Sequence, residues 1–200
     1  ENMTIQRLRL PMPGRHNVEN ATAAITIALH VGVSPEAIRE GLATFGGVKR
    51  RFEVIYRDEN RVYIDDYAHH PTEIKAVVQA ARQLFPGRKL TGVFQPHLFS
   101  RTRDFAAEFA EALDGFDEIL LLDIYPAREL PIPGVTADML LNLMKNPNKQ
   151  LLDKSNLVET LARRQLDVLM TIGAGDIDTL INPIETMLAA TKGALNTTAR

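Results

Sequence analysis

The amino-acid sequence predicts an α/β fold, a Rossmann-like and mostly parallel sheet with helices on both faces, preceded by a separate helical segment. Residues 90–94 and 118–123 are short and almost continuously apolar, as strands buried on both faces must be. From residue 71 onward such runs alternate with segments of helical period, the pattern of strand–helix–strand units. In that architecture ligands bind beyond the C-terminal ends of the strands.

In chain order, residues 4–10 alternate apolar and polar side chains and predict a short strand, ended by Pro11, Pro13 and Gly14. Asn17 is the expected N-cap of a helix whose apolar run, 21–31, stops at Gly32. Ser34 and Pro35 start a second helix with Ala37, Ile38, Leu42 and Phe45 on one face, and Gly46 and Gly47 end it. Residues 52–56 and 62–65 flank the turn Asp58-Glu59-Asn60 as a hairpin. A helix over 71–85 leads to the strand at 90–94, and a helix over 102–113 leads to the strand at 118–123. A helix near 137–144, a strand near 150–152, a helix over 156–163, a strand over 168–172 and a helix near 178–188 complete the series. Residues 191–200 carry no core pattern and are expected to fray.

Composition narrows the function classes. With 45% hydrophobic residues, and 23 Lys and Arg against 25 Asp and Glu, the chain can bury a full core and is neither a disordered tail nor a collagen-like repeat. The absence of Cys excludes a disulfide framework, a thiolate metal site and a thiol nucleophile. Dispersed Lys and Arg and an aromatic content of 6% give no nucleic-acid platform. No apolar run approaches the roughly 20 residues that span a bilayer. The expectation is a soluble, cytoplasmic protein with neither nucleic acid nor membrane as partner. The missing initiator Met predicts that the chain begins inside a longer protein.

The densest polar cluster, Asp65-Asp66-Tyr67-Ala68-His69-His70-Pro71, falls where a strand hands over to a helix. Carboxylates and imidazoles there suit a ribose, a Mg²⁺-bound water or an anionic substrate. The plainer alternative is that one Asp caps the helix and the histidines are surface groups. No third ligand at a fixed spacing supports a metal site. The next strand ends at Gln95-Pro96-His97, followed by Ser100-Arg101-Thr102-Arg103 at a helix start. A helix N-terminus with guanidinium donors suits a carboxylate or phosphate. The alternative is that Ser100 or Thr102 caps the helix while the arginines pair with Asp104 and Glu108. Lys49-Arg50-Arg51 is a basic run between the two segments, and Gly173-Ala174-Gly175-Asp176 is a glycine-bearing turn without either nucleotide-loop spacing. A tight turn capped by Asp176 explains it equally well.

Taken together, Gly14-Arg15-His16-Asn17-Val18-Glu19-Asn20, Arg50-Arg51-Phe52-Glu53, Asp65-Asp66-Tyr67-Ala68-His69-His70-Pro71-Thr72-Glu73, Gln95-Pro96-His97 with Ser100-Arg101-Thr102-Arg103, and Gly173-Ala174-Gly175-Asp176-Ile177 occur in the order found in the Mur ligases. The chain resembles that family from Gly14 to Ile177. The resemblance implies an ATP-dependent amide ligase of peptidoglycan precursor synthesis with three domains. Residues 1–48 would be the end of the central ATPase domain, 49–190 the C-terminal domain and 191–200 a disordered tail, with a hinge near 46–49. The N-terminal and central domains, including the phosphate loop, the Mg²⁺ ligands and a carbamylated lysine, would lie upstream. The doubled histidine before Pro-Thr-Glu points to the member that joins L-alanine to UDP-N-acetylmuramate.

Carried over by position, the resemblance makes His16, Asn17 and Asn20 adenine-side contacts, with Arg51 and Asp66 reaching ATP from the C-terminal domain. His69 and His70 would border the reacting groups, and His97, His69 and Arg101 would hold the L-alanine or muramoyl substrate; His69, His70 and Arg101 are the expected catalytic residues. Some members carry Arg directly after the histidine matching His97, where this chain has Leu98, so Arg101 is expected to bear more of the anion recognition. No metal ligand is assigned within the chain. The rival readings are a murein tripeptide recycling ligase, a free-standing nucleotide-binding module and a structural interaction domain.

Overall fold

A computed structural model describes residues 4–197, with side chains as far as residue 191. The described residues form two compact units, one ending at Lys49 and the other starting at Arg50.

The first unit holds α1 (Arg15–His30) and α2 (Pro35–Thr44). Residues 4–10 form no strand. An alternating pattern needs a neighbouring ladder to become a strand, and the described part of this unit contains only helices. Nor is Asn17 the N-cap: α1 starts two residues earlier behind Gly14, and the buried Asn17 amide donates back to the Pro13 carbonyl at 2.6 Å. Gly32 ends α1 as expected, because its φ of +84° lets the Val33 and Gly32 amides close back onto the carbonyls of Ala28 and Leu29. Ser34 caps α2, its hydroxyl accepting from the Ala37 amide at 3.3 Å.

The second unit runs β1 (Glu53–Arg57), β2 (Val62–Asp66), α3 (Pro71–Leu84), β3 (Leu90–Phe94), α4 (Phe99–Asp104), α5 (Ala106–Leu113), β4 (Glu118–Leu122), α6 (Ala137–Leu143), β5 (Lys149–Leu152), α7 (Leu157–Ala162), β6 (Val168–Ile172) and α8 (Ile181–Thr197). Single 3₁₀ turns, Lys154–Asn156 and Asp176–Leu180, precede α7 and α8. The helix expected over 102–113 is two helices broken at Phe105, the first starting at Phe99. Helix α8 extends past residue 188 through much of the stretch expected to fray; residues 198–200 lie outside the described residues.

The six strands lie in the order β1-β2-β6-β3-β4-β5, with β1 antiparallel to β2 and every other pair parallel. Alternate residues of each strand feed two cores. Val62, Ile64, Leu90, Phe94, Ile119, Leu121, Val168, Met170 and Ile172 face α3, α5 and α6, whereas Tyr63, Val93, Leu120, Leu122 and Leu169 face α7 and α8. Both faces are therefore covered, which explains the unbroken apolar runs of the central strands. The chain steps outward from β3 to β5 and then returns to insert β6 between β2 and β3. The connections leaving β2 and β6 consequently run to opposite faces, which opens a crevice at the C-terminal ends of β2, β6 and β3.

Gly92, at the centre of β3, is there because of close packing: a Cβ would sit 2.8 Å from Ile119 Cδ1 and 2.9 Å from Phe116 Cδ1. Gly92→Val should lower the unfolding free energy by about 2 kcal/mol through overpacking, measured by chemical denaturation.

Candidate active site at the strand ends

Asp65 and Asp66 are adjacent in sequence and point to opposite faces of the sheet, as the period of a strand requires. Both are buried. Asp65 accepts from Arg50 Nε at 2.8 Å and from the Thr171 hydroxyl at 2.6 Å, and the Tyr63 hydroxyl lies 3.0 Å from Thr171 Oγ1. Arg50 also donates to the Gly173 carbonyl at 2.7 Å. Asp66 is committed to backbone: one oxygen accepts from the Phe52 amide and the other from the Ala68 amide, each at 2.7 Å. Burial pushes its carboxyl above the ordinary range, and these two amides and Arg51 pull against it. Asp66 thus ties the 51–52 turn to the exit of β2 and, in this conformation, does not itself present a free carboxylate.

Beyond the strand ends a row of rings crosses the crevice. The Tyr67 ring lies 5.1 Å from the Arg50 guanidinium carbon and 6.0 Å from that of Arg51. It meets His69 edge-on at 5.3 Å, His69 meets His97 at 6.4 Å, and His97 stacks on Tyr125 at 5.8 Å with 19° between planes. Arg101 donates to His97 Nδ1 across 3.4 Å. His97 is pushed below the ordinary imidazole value by burial first, then by the charge of Arg101 and by His69. His70 plays another part. It is the N-cap of α3, its Nδ1 accepting from the Thr72 amide at 3.4 Å, while Glu73 accepts from the amides of His69 and His70. Its ring rests on Phe105 at 4.7 Å. The helix is therefore capped by His70, not by either Asp.

Helix α4 aims Arg101 from an unusual start. Leu98, at the N-cap position, has φ +75° and supplies no side-chain cap; the Thr102 hydroxyl bonds the Leu98 carbonyl, and Ser100 donates its amide and its hydroxyl to Glu129. Neither Ser100 nor Thr102 caps the helix, and Arg101 turns to His97 while Arg103 pairs with Asp104 at 2.8 Å. The turn 173–176 packs against β3. Gly173 has φ +147°, and a Cβ on it would lie 2.7 Å from the Gln95 carbonyl oxygen. The Gln95 side chain donates to Asp176 at 2.8 Å and accepts from the Ile177 amide at 2.9 Å. Gly175, not Asp176, occupies the N-cap, and Asp176 pairs with Lys154. The turn serves as a structural latch.

The strand ends thus gather Arg51, Asp66, His69, His97 and Arg101, with His70 close by as a cap. His16, Asn17 and Asn20 lie in the first two turns of α1 in the other unit. From sequence, Arg50 and Tyr67 enter only as members of longer runs without a role of their own, and Tyr125 does not enter at all. Arg50 belongs to a basic run between the two segments, and Tyr125 follows an apolar strand without any polar cluster to mark it. Among the described residues no three His, Asp or Glu side chains converge as a metal site. A cavity of about 1010 Å³ lies at the opposite end of the strands, lined in part by Arg61, Arg88 and Arg164. Arg61 there is paired with Asp58 and Arg164 with Glu118.

Residues 50–176 match the family model described as Mur ligase, glutamate ligase domain, and since this is more than half of its length the chain belongs to the Mur ligase family. A UDP-N-acetylmuramate–L-alanine ligase of Cytophaga hutchinsonii is 54% identical over 189 residues, 94% of this chain and 41% of the relative. The ligase of the same name from Porphyromonas gingivalis is 49% identical over 185 residues, 92% of this chain and 41% of the relative. Among solved structures, the UDP-N-acetylmuramate-alanine ligase of Thermotoga maritima superposes with a TM-score of 0.78 at 29% identity, over 92% of this chain and 40% of that one. A murein peptide ligase of Psychrobacter arcticus gives a TM-score of 0.64 at 25% identity, over 90% and 38%. The chain spans about two fifths of the length of these relatives. No helix among the described residues is long and apolar enough to cross a membrane.

Two consequences can be measured. Asp66→Asn replaces one acceptor oxygen by an NH₂ group that faces a backbone N–H, and should cost about 2–3 kcal/mol in chemical unfolding. His97 should titrate by NMR with a midpoint below the ordinary value of about 6.5. Because the folded state holds this proton less tightly than the unfolded chain, the associated stability is present above the unfolded midpoint and is lost as pH falls from there through the lower folded-state midpoint.

Proposed function

We propose that this chain is the C-terminal two fifths of an ATP-dependent amide ligase that joins L-alanine to UDP-N-acetylmuramate in peptidoglycan precursor synthesis. The observation that carries the reading is the 54% identity, along nearly the whole chain, to a ligase named for that reaction. The strand-end geometry agrees with it, since the crevice offers guanidinium and imidazole donors suited to carboxylate and phosphoryl oxygens.

In such a reaction the muramoyl carboxylate takes the γ-phosphoryl group of ATP and becomes an acyl phosphate. The free amine of L-alanine attacks that carbonyl, loses its extra proton, and the tetrahedral adduct expels phosphate. Charge accumulates on phosphoryl and carbonyl oxygens, so fixed positive groups matter more than a covalent nucleophile. Arg101, aimed from α4 and bonded to His97, would hold the carboxylate of the incoming amino acid. His97 would donate a hydrogen bond at the reacting end, and His69, whose Nδ1 donates to the Tyr67 carbonyl at 2.9 Å, would offer Nε2 there as an acceptor, while His70 would act through the start of α3. Arg51 would face the nucleotide, and Asp66 would act by holding the 51–52 turn. His16, Asn17 and Asn20, at the end of a central ATPase domain spanning 1–48, would contact the adenine side, with 49–190 as the C-terminal domain. Mg²⁺ would neutralise phosphoryl oxygens. This chain does not fit as its binding set, because Asp65 and Asp66 are committed to Arg50, Thr171 and backbone amides. Its ligands are therefore assigned upstream, and the reaction to the cytoplasm where its nucleotide substrates are found.

The test is phosphate release by the complete enzyme with ATP, Mg²⁺ and UDP-N-acetylmuramate, comparing L-alanine with L-alanyl-γ-D-glutamyl-meso-diaminopimelate. L-alanine dependence is expected, with Arg101→Ala lowering kcat/KM for L-alanine roughly tenfold to a hundredfold. Dependence on the tripeptide would instead make the protein a recycling ligase. Unchanged kinetics in the variant would remove Arg101 from the site.

A further inference from the structure

Tyr125 is brought to the crevice by the backbone. Parallel pairing of β3 and β4 continues one step beyond both strands, where the Tyr125 amide donates to the Pro96 carbonyl at 2.8 Å and the Leu98 amide to the Tyr125 carbonyl at 3.0 Å. His97 and Tyr125 are therefore side-by-side neighbours on adjacent segments, and their rings stack at 5.8 Å. On its other side Tyr125 presses on the turn after β6: a Cβ on Gly175 would come within 2.7 Å of Tyr125 Cβ and 2.9 Å of Cγ. Tyr125 is thus wedged between His97 and a glycine whose missing side chain makes room for it.

An imidazole at the edge of a crevice has a broad, roughly two-fold χ2 preference and flips unless its surroundings choose one orientation. Four groups bear on His97. Arg101 of α4 can only donate, so the nitrogen it meets, Nδ1, accepts and the proton of the neutral ring sits on Nε2. His69, in the loop after β2, touches its edge. Tyr125 covers its face. Glu129, in the loop after β4, contributes a weaker opposing charge.

We propose that Tyr125 is a positioning residue that holds the plane of His97 so that Nδ1 accepts from Arg101 and Nε2–H is the donor presented to substrate. The claim about His97 stands on the geometry alone, and only its kinetic consequence rests on the ligase reading.

The experiment has two arms. In the first, long-range ¹H–¹⁵N NMR on this chain reads the His97 tautomer and its titration midpoint. Wild type and Tyr125→Phe should show Nε2–H. Tyr125→Leu should give a mixed tautomer population and a midpoint higher by on the order of half a pH unit, because removing the stacked ring exposes the imidazole to water. An Nδ1–H tautomer in wild type overturns the proposal, and that reading needs no variant to fold. An unchanged tautomer and midpoint in Tyr125→Leu overturns it as well. In the second arm, the complete ligase carrying Tyr125→Leu should show KM for L-alanine raised roughly tenfold with kcat within about twofold, and Tyr125→Phe should restore it. Wild-type enzyme without L-alanine-dependent turnover would refute the ligase reading and leave the NMR result to decide the role of Tyr125.

Discussion

The buried pair between Arg50 and Asp65 is the interaction on which the strand-end crevice depends. Asp65 lies near the C-terminal end of β2, with its side chain fully inaccessible. Burial pushes its carboxyl upward, and Arg50 and Thr171 pull the other way. A charge in that position is tolerable only while paired, and removing one partner of such a pair typically costs about 3–5 kcal/mol. The same guanidinium reaches the carbonyl of Gly173 at the exit of β6 and flanks the Tyr67 ring. One side chain from the first residue of the unit therefore fixes the ends of two central strands and one end of the row of rings.

That arrangement explains why guanidinium groups and imidazoles, and not carboxylates of β2, line the crevice. Two carboxylates at the strand end are consumed internally, Asp65 by Arg50 and Thr171 and Asp66 by two amides. What remains facing outward is Arg51, the imidazoles and Arg101. A surface of this kind attracts anionic oxygens and offers little to a cation. The rigid latch of Gln95 on the 173–177 turn, and that of Glu129 on Ser100, place the donors on elements that cannot easily shift, which is what binding of a developing negative charge requires.

The legible parts of the molecule were those with a local cause. The apolar runs of β3 and β4 announced a doubly covered sheet, Ser34 and Pro35 marked the start of α2, and the turn at 58–60 marked the hairpin. Residues 4–10 misled because alternation is only half of a strand, the other half being a ladder partner. The start of α4 was placed three residues late because Leu98 takes φ +75° next to its hydrogen bond with Tyr125, a residue distant in sequence. The candidate cluster at 65–71 was recognised as a group from its strand-end position, but not which of its members face the crevice.

The order of residues by itself determined the fold class, the alternation of strands and helices, and the placing of Asp66, His69, His97 and Arg101 at strand ends, since each follows from periodicity within a few neighbours. Tertiary structure alone decided their roles. It satisfied Asp65 and Asp66, which the strand period turns to opposite faces, with different partners, made His70 a cap, and set Tyr125 against His97. The physical reason is that a hydrogen-bond or stacking partner is chosen by which strands lie side by side. The order β2-β6-β3-β4 brings together segments that are far apart along the chain.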